Sequence, residues 1–260
     1  MQWCRFQAGQ KIAHGIIEND TVIEVTGGPF ESYTKTSTTY PLSGVKLLVP
    51  VIPPTFYAAG INYREHVTEM AKRRGVEPQF PENADVGYRA NNALVANDEP
   101  IVIPKDATEL VQYEGELVAV IGKKCKRVSE SEALDYVFGY TIGNDVSERT
   151  WQRGDRTFWR GKNADTFKPM GPWIVTGLNY REMTTTVRLN GQEVDKFATA
   201  NMIHDVEQYI AEVSRYCTLV PGDVMWMGTD GSPRNMKVGD VCEVEITGIG
   251  TLRNKVAAEA

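Results

Sequence analysis

The run QYEGELVAVI, residues 112–121, sets two carboxylates into an otherwise apolar strand. Side chains two apart on an extended chain share a face. Glu114, Glu116, Val118 and Val120 therefore point one way, and Gly115, Leu117 and Ala119 the other. Like charges side by side repel, and a buried carboxylate without a partner is costly. A fold that takes this strand inside must bring positive charge to its Glu face. An isolated Glu-x-Glu pair most often lies on an edge strand facing water, and spacing alone leaves both placements open.

With 260 residues, 42% of them hydrophobic, the chain can bury one large core, with or without a small appendage. The net charge of -6 and the lack of any Lys/Arg run argue against a nucleic-acid binder held by phosphate contacts. No apolar stretch approaches a membrane span, and MQWCRFQAGQ lacks the charged-then-apolar layout of a signal peptide. Cys4, Cys125, Cys217 and Cys242 show neither a CxxC pair nor a metal-site spacing and read as reduced thiols. A cytoplasmic protein is the expectation.

The prolines of VPVIPPT mark a boundary. Residues 1–52 read as a small N-terminal β unit, with strand-like runs at WCRF, IAHGII, TVIEV and VKLLV. Residues 53–260 read as the main domain. FYAAGINY is a strand entering a helix, NYREHVTEMAKRRG, that stops at Gly75. Residues 76–100 are loop-like. Further strands are expected at 112–121, 137–143, 172–176, 185–190, 223–227 and 241–247. Apolar residues at helical spacing predict a helix over NMIHDVEQYIAEVSRY, residues 201–216. Strands outnumber helices and βαβ alternation is absent, so the fold class is α+β, mostly β, and not doubly wound.

The glutamates have a candidate companion. Asp145 closes the β-like run VFGYTIGND, and three carboxylates converging from two strands would make a hard-oxygen site for Mg²⁺, Mn²⁺ or Ca²⁺. Asn-Asp at a strand end is also ordinary turn chemistry. Elsewhere, His66 and Glu69 lie three apart and share a helix face. A carboxylate there could orient an imidazole as a general base, although such pairs are common on helix surfaces. His14 and His204 read as structural. Arg149 and Gln152 follow Asp145 closely enough for a helical turn to bring them to one side.

Four strings, YEGELVAVIGKK, GYTIGNDVSER, GKNADTFKPMGPWIVT and LVPGDVMWMGT, resemble the fumarylacetoacetate hydrolase (FAH) family in order and spacing. The resemblance implies a mixed, mostly β, roll- or sandwich-like core and a homodimer. It implies a divalent ion, Mg²⁺ or a similar one, held by Glu114, Glu116 and Asp145. The substrates implied are small 2-oxo acids. The reaction implied is hydrolysis of a C–C bond in an acylpyruvate of fumarylacetoacetate or fumarylpyruvate type, in the catabolism of aromatic compounds. Decarboxylation or isomerisation of an oxo diacid of oxaloacetate or 2-hydroxyhepta-2,4-diene-1,7-dioate type is the alternative. A catalytically silent metal-binding relative comes last, because an ion held only for stability would need neither His66, Glu69 nor Lys162.

By the same resemblance Lys162 faces the oxo acid, Arg149 and Gln152 hold substrate oxygens, and Thr229 contacts substrate from its loop. Asn62 and Tyr63 complete an NYxxHxxE string similar to the family's lid, in which the His66–Glu69 pair activates water. Two stretches depart from the pattern. GYRANNALV puts Arg89, Asn91 and Asn92 where relatives carry a Phe-x-Lys-Pro-like segment, and Asp230 replaces the proline of a Gly-Thr-Pro loop. Both fall where a pocket is shaped.

Overall fold

The strand Gly115–Ile121 is buried along its whole length and lies well inside the largest of three sheets, the smallest being the two-stranded ladder of Val111–Gln112 and Ser147–Glu148. The computed structural model describes residues 1–260, apart from the side chains of residues 73 and 74. The strand is flanked by Val137–Asn144 and by Val224–Trp226, both antiparallel to it. It is therefore no edge strand, and its glutamates go inward.

Across the largest sheet the order runs Thr34–Pro41, Thr21–Thr26, Lys11–Glu18, Gln2–Ala8, Lys168–Val175, Val137–Asn144, Gly115–Ile121, Val224–Trp226, Phe56–Ala59 and Val86–Tyr88. Pairing is mostly antiparallel, and Val224–Trp226 runs parallel to Phe56–Ala59, so the sheet is mixed. The N-terminal strands continue this sheet, because Gln2–Ala8 pairs with Lys168–Val175 with Trp3 opposite Ile174. Gln192–Ala198, Thr184–Leu189, Val241–Ile246, Gly250–Ala258 and Ile101–Ile103 form the second sheet.

The period-two pattern of the glutamate strand decides how the sheets pack. Leu117, Ala119 and Ile121 join the main core with Val187, Val244 and Ile246 of the second sheet. Val118 and Val120 turn to the other face, toward Trp3, Phe56, Met170 and Trp226. Gly115 is small for a reason: a Cβ there would lie 2.8 Å from Val187 and 2.9 Å from Val244, so only glycine lets the sheets close at this point.

The first expected helix spans Arg64–Arg74 and ends on Gly75, whose φ of 66° is the left-handed cap that glycine adopts freely. The second begins later than its periodicity predicts, at Val206. Asp205 accepts the backbone N–H of Gln208 and Gln208 reciprocates, a capping box that starts the helix there. Upstream, the His204 N–H goes to the Asn62 side chain. Thr34–Pro41, Gln192–Ala198 and Gly250–Ala258 are strands that the sequence reading leaves out. Gly250–Ala258 alternates buried Leu252, Asn254 and Val256 with exposed Thr251, Arg253 and Lys255, and its charges mask that period.

Candidate active site

Glu114 and Glu116 bracket the start of the central strand, and Asp145 follows the end of the neighbouring one. The backbone holds this corner together. Asp145 donates its N–H to the Glu114 carbonyl at 2.8 Å, and Glu114 donates its own to the Asn144 side chain at 2.9 Å. One carboxylate oxygen from each of Glu114, Glu116 and Asp145 lies within 4.8 Å of the others, all three residues being buried.

Four cations surround them. Lys162 Nζ lies 2.5 Å from Glu114 and 2.7 Å from Asp145. Arg149 reaches Glu114 at 2.6 Å and also donates to Gln112 and Gln152, each at 2.8 Å. Arg89 grips Asp145 through Nε and Nη2. Lys168, fully buried, contacts the other Asp145 oxygen at 2.7 Å and donates to the carbonyls of Val146 and Phe167.

The charges are shared unevenly. Burial opposes ionisation of Glu114, yet Arg149 and Lys162 hold its carboxyl down at about 2. Asp145 is likewise held well below the usual range against its burial, by Arg89, Lys162 and Lys168. Glu116 has no ion pair of its own, and Lys162 helps it only weakly. Burial first, then the charges of Asp145 and Glu114, push it up to about 8, and the Gly228 N–H at 2.9 Å is its hydrogen-bond donor. A divalent cation is the species that would relieve this crowding, so the residues fit one.

The shift carries a pH dependence. The folded protein holds the Glu116 proton more tightly than the unfolded chain. Through Glu116 the metal-free protein should therefore lose stability as pH rises from about 4.5 to about 8. Lys168, whose ammonium is held down at about 7 by burial, acts the other way above about pH 7. Glu114 and Asp145 act in the opposite sense, below the usual carboxylate range. Urea melts at a series of pH values, with chelator and with Mg²⁺, check this, and the metal should flatten the decline above pH 4.5.

The helix Trp159–Asn163 delivers Lys162, and Gly161 decides how close it comes. A Cβ on Gly161 would sit 2.6 Å from the Gln152 backbone nitrogen, so the two short helices carrying Arg149 and Lys162 meet only with glycine between them. Gly161→Ala should cost about 1–3 kcal/mol, the usual penalty for overpacking, measured by denaturant unfolding.

The residues at the head of the helix Arg64–Arg74 contribute differently from one another. Asn62 is committed internally: Nδ2 donates to the carbonyls of His204 at 3.0 Å and Met227 at 2.9 Å, while Oδ1 accepts from the His204 N–H. It ties the head of the helix Arg64–Arg74 to the chain beside Glu116, which leaves its amide no free hydrogen for a substrate. Tyr63 is fully buried with a hydroxyl that has no hydrogen-bond partner. Burial and the charges of Glu116 and Asp230 raise it well above its ordinary value, so it stays protonated. Thr229 donates to the Asp230 carbonyl at 3.3 Å, next to the Gly228 that reaches Glu116.

His66 is half-buried, and its Nδ1 lies 3.0 Å from the Gly231 carbonyl. No hydrogen bond joins it to Glu69 among the described residues. The orienting partner expected at i+3 is supplied by a distant loop. His204 contacts the Pro81 carbonyl at 3.1 Å, a structural role.

A family model of the fumarylacetoacetate (FAA) hydrolase C-terminal domain matches residues 55–257. The chain belongs to the fumarylacetoacetate hydrolase family. A second model, Rv2993c-like N-terminal, matches residues 1–50. Protein Rv2993c of Mycobacterium tuberculosis is 37% identical over 91% of this FAH-family chain and 88% of its own length. A 2,4-didehydro-3-deoxy-L-rhamnonate hydrolase of a Sphingomonas species is 34% identical, covering 99% and 96%. The crystal structure of a 5-carboxymethyl-2-hydroxymuconate delta-isomerase from Mycobacterium smegmatis superposes with a TM-score of 0.91 at 35% identity, covering all of both chains. Family relatives are thus enzymes of more than one reaction type.

Lys168 escapes the sequence reading altogether. It is a cation in the apolar run FKPMGPWIV, the same kind of signal as the glutamates in theirs. Arg89 appears there only as a departure from the family pattern, and the structure makes it the bidentate partner of Asp145. The four cysteines are free thiols, and no described helix is long and apolar enough to cross a membrane. A cavity of about 740 Å³ beside Lys46, Glu99 and Trp173 shares no residue with the carboxylates. A smaller one, about 270 Å³, opens at the start of the helix Arg64–Arg74 between Arg64, Met202 and Asp230.

Proposed function

We propose that the chain is a metal-dependent hydrolase that cleaves a C–C bond in an acylpyruvate-like 2-oxo acid. The observation that carries this reading is a buried carboxylate triad, with Glu116 pushed up to about 8, in a chain whose His66 keeps one ring nitrogen free as a base. A carbonyl oxygen only accepts hydrogen bonds, so contact with Gly231 places the His66 proton on Nδ1 and leaves the Nε2 lone pair available. Bound at Glu114, Glu116 and Asp145, Mg²⁺ or Mn²⁺ would supply Lewis-acid polarisation of the oxo acid.

The chain's own groups do the rest. His66 takes a proton from water, which attacks the acyl carbonyl carbon. The bond to the pyruvyl methylene breaks with its electron pair going to that carbon, which then takes a proton. Pyruvate and a carboxylate are the products. Tyr63 can donate its unpartnered hydroxyl to a substrate oxygen. Lys162 lies between two of the carboxylates, where its ammonium can meet negative charge that develops on the oxo acid.

Isomerisation of an oxo diacid is the second reading, favoured by the full-length match to a protein named as an isomerase. Incubation of acylpyruvates and oxo diacids with Mg²⁺ or Mn²⁺, followed by enol absorbance and by assay of released pyruvate, separates the two. Loss of enol signal with no pyruvate from any acylpyruvate would count against hydrolysis.

A further inference from the structure

We propose that Asp230 is the positioning residue of His66, locking the Gly228–Ser232 loop to the first turn of the helix Arg64–Arg74 and so presenting the Gly231 carbonyl that sets the imidazole. The inference builds on the reading of His66 as the base. Asp230 is 1% exposed. Its Oδ1 accepts two backbone N–H groups, from His66 and from Gly231, each at 2.9 Å. Gly231 returns its carbonyl to His66 Nδ1 at 3.0 Å. These three hydrogen bonds close a ring between helix and loop, with His66 gripped at both backbone and side chain.

The helix needs such a partner. First-turn N–H groups have no acceptor within a helix, and Tyr63, at the N-cap position, offers no side-chain cap. Asp230 supplies the acceptor from 164 residues away, and a carboxylate also suits the positive end of the helix dipole. The loop is held from its far side as well, where the Ser232 N–H reaches Asp195 Oδ1 at 3.2 Å. Gly231 has a φ of 79°, which glycine adopts freely, and a Cβ there would lie 2.5 Å from that same oxygen, so a side chain would strain the loop and displace Asp195.

The second Asp230 oxygen sets up the test. Oδ2 is buried with no hydrogen-bond partner, so Asp230→Asn can keep Oδ1 in place and sacrifice no hydrogen bond, whereas Asp230→Ala removes the ring. With ¹⁵N-labelled histidine in the full-length protein, long-range ¹H–¹⁵N spectra without substrate should show His66 as the Nδ1–H tautomer in wild type and in Asp230→Asn. Asp230→Ala should shift it toward Nε2–H and lower kcat about 10–100-fold, the usual cost of losing an orienting partner, with KM little changed. Rescue by the isosteric Asn alone would not separate positioning from packing, so the His66 tautomer is the deciding readout. An Nε2–H tautomer in wild type, or an unchanged tautomer in Asp230→Ala, overturns the proposal. The wild-type spectrum tests it even if the Ala variant does not fold. A tautomer that follows Asp230 while His66→Ala turns over normally would support the positioning role and sink the hydrolase reading instead.

Discussion

Glu116→Gln should abolish the thermal stabilisation that a divalent ion gives the wild-type protein, and turnover with it. An ion present at one hundred times its Kd stabilises by about 2.7 kcal/mol. For a chain of this size that is a rise in Tm of roughly 5–11 °C. Gln keeps an acceptor for the Gly228 N–H and fills the same volume, but it removes the carboxylate whose charge burial and its neighbours Asp145 and Glu114 oppose. Above pH 8 the metal-free variant should therefore be at least as stable as metal-free wild type. Removal of a ligand that stabilised by itself would give the opposite order. Scanning calorimetry of both proteins, with chelator and with Mg²⁺ or Mn²⁺, checks both parts. Equal Tm values for wild type with and without the ion would remove the metal site from the account.

The second large effect is expected at His66. His66→Ala should lower kcat on the true substrate by roughly two to four orders of magnitude, the range for a lost general base. The ion-induced change in Tm should be nearly unaltered, because His66 is not among the three carboxylates that would hold the ion. Glu69→Gln should cost far less, since the imidazole contact is the Gly231 carbonyl. A decarboxylation would respond differently, because the carboxylate leaves without attack by water. Near-wild-type turnover by His66→Ala would therefore end the hydrolase reading and favour that chemistry.

Sequence by itself determined a great deal here. The strand expected at 112–121, observed at Gly115–Ile121, has two faces that follow from a period of two. The stop of the first helix follows from Gly75, and the helix ending at Tyr216 follows from apolar spacing. Glu114, Glu116 and Asp145 are singled out by the oddity of carboxylates in apolar surroundings and by four strings in family order. The strand and helix signals are local, carried by residues within a few positions of one another, whereas Asp145 joins the glutamates through the order of the family strings.

Tertiary structure alone decided the partners. Arg89 meets Asp145 across 56 positions, and Lys162 meets Glu114 across 48. The orientation of His66 went to Gly231, 165 positions away, although Glu69 sits one helical turn off. Helical spacing says which side chains can meet, but a long flexible carboxylate has many rotamers, and a rigid carbonyl held in place by Asp230 gives the imidazole a fixed acceptor. Lys168 makes the same point from the other side. Its charge is tolerable in a buried strand only because the fold sets Asp145 and two carbonyls around its ammonium, and no rule of local spacing can see a counter-charge that arrives from another strand.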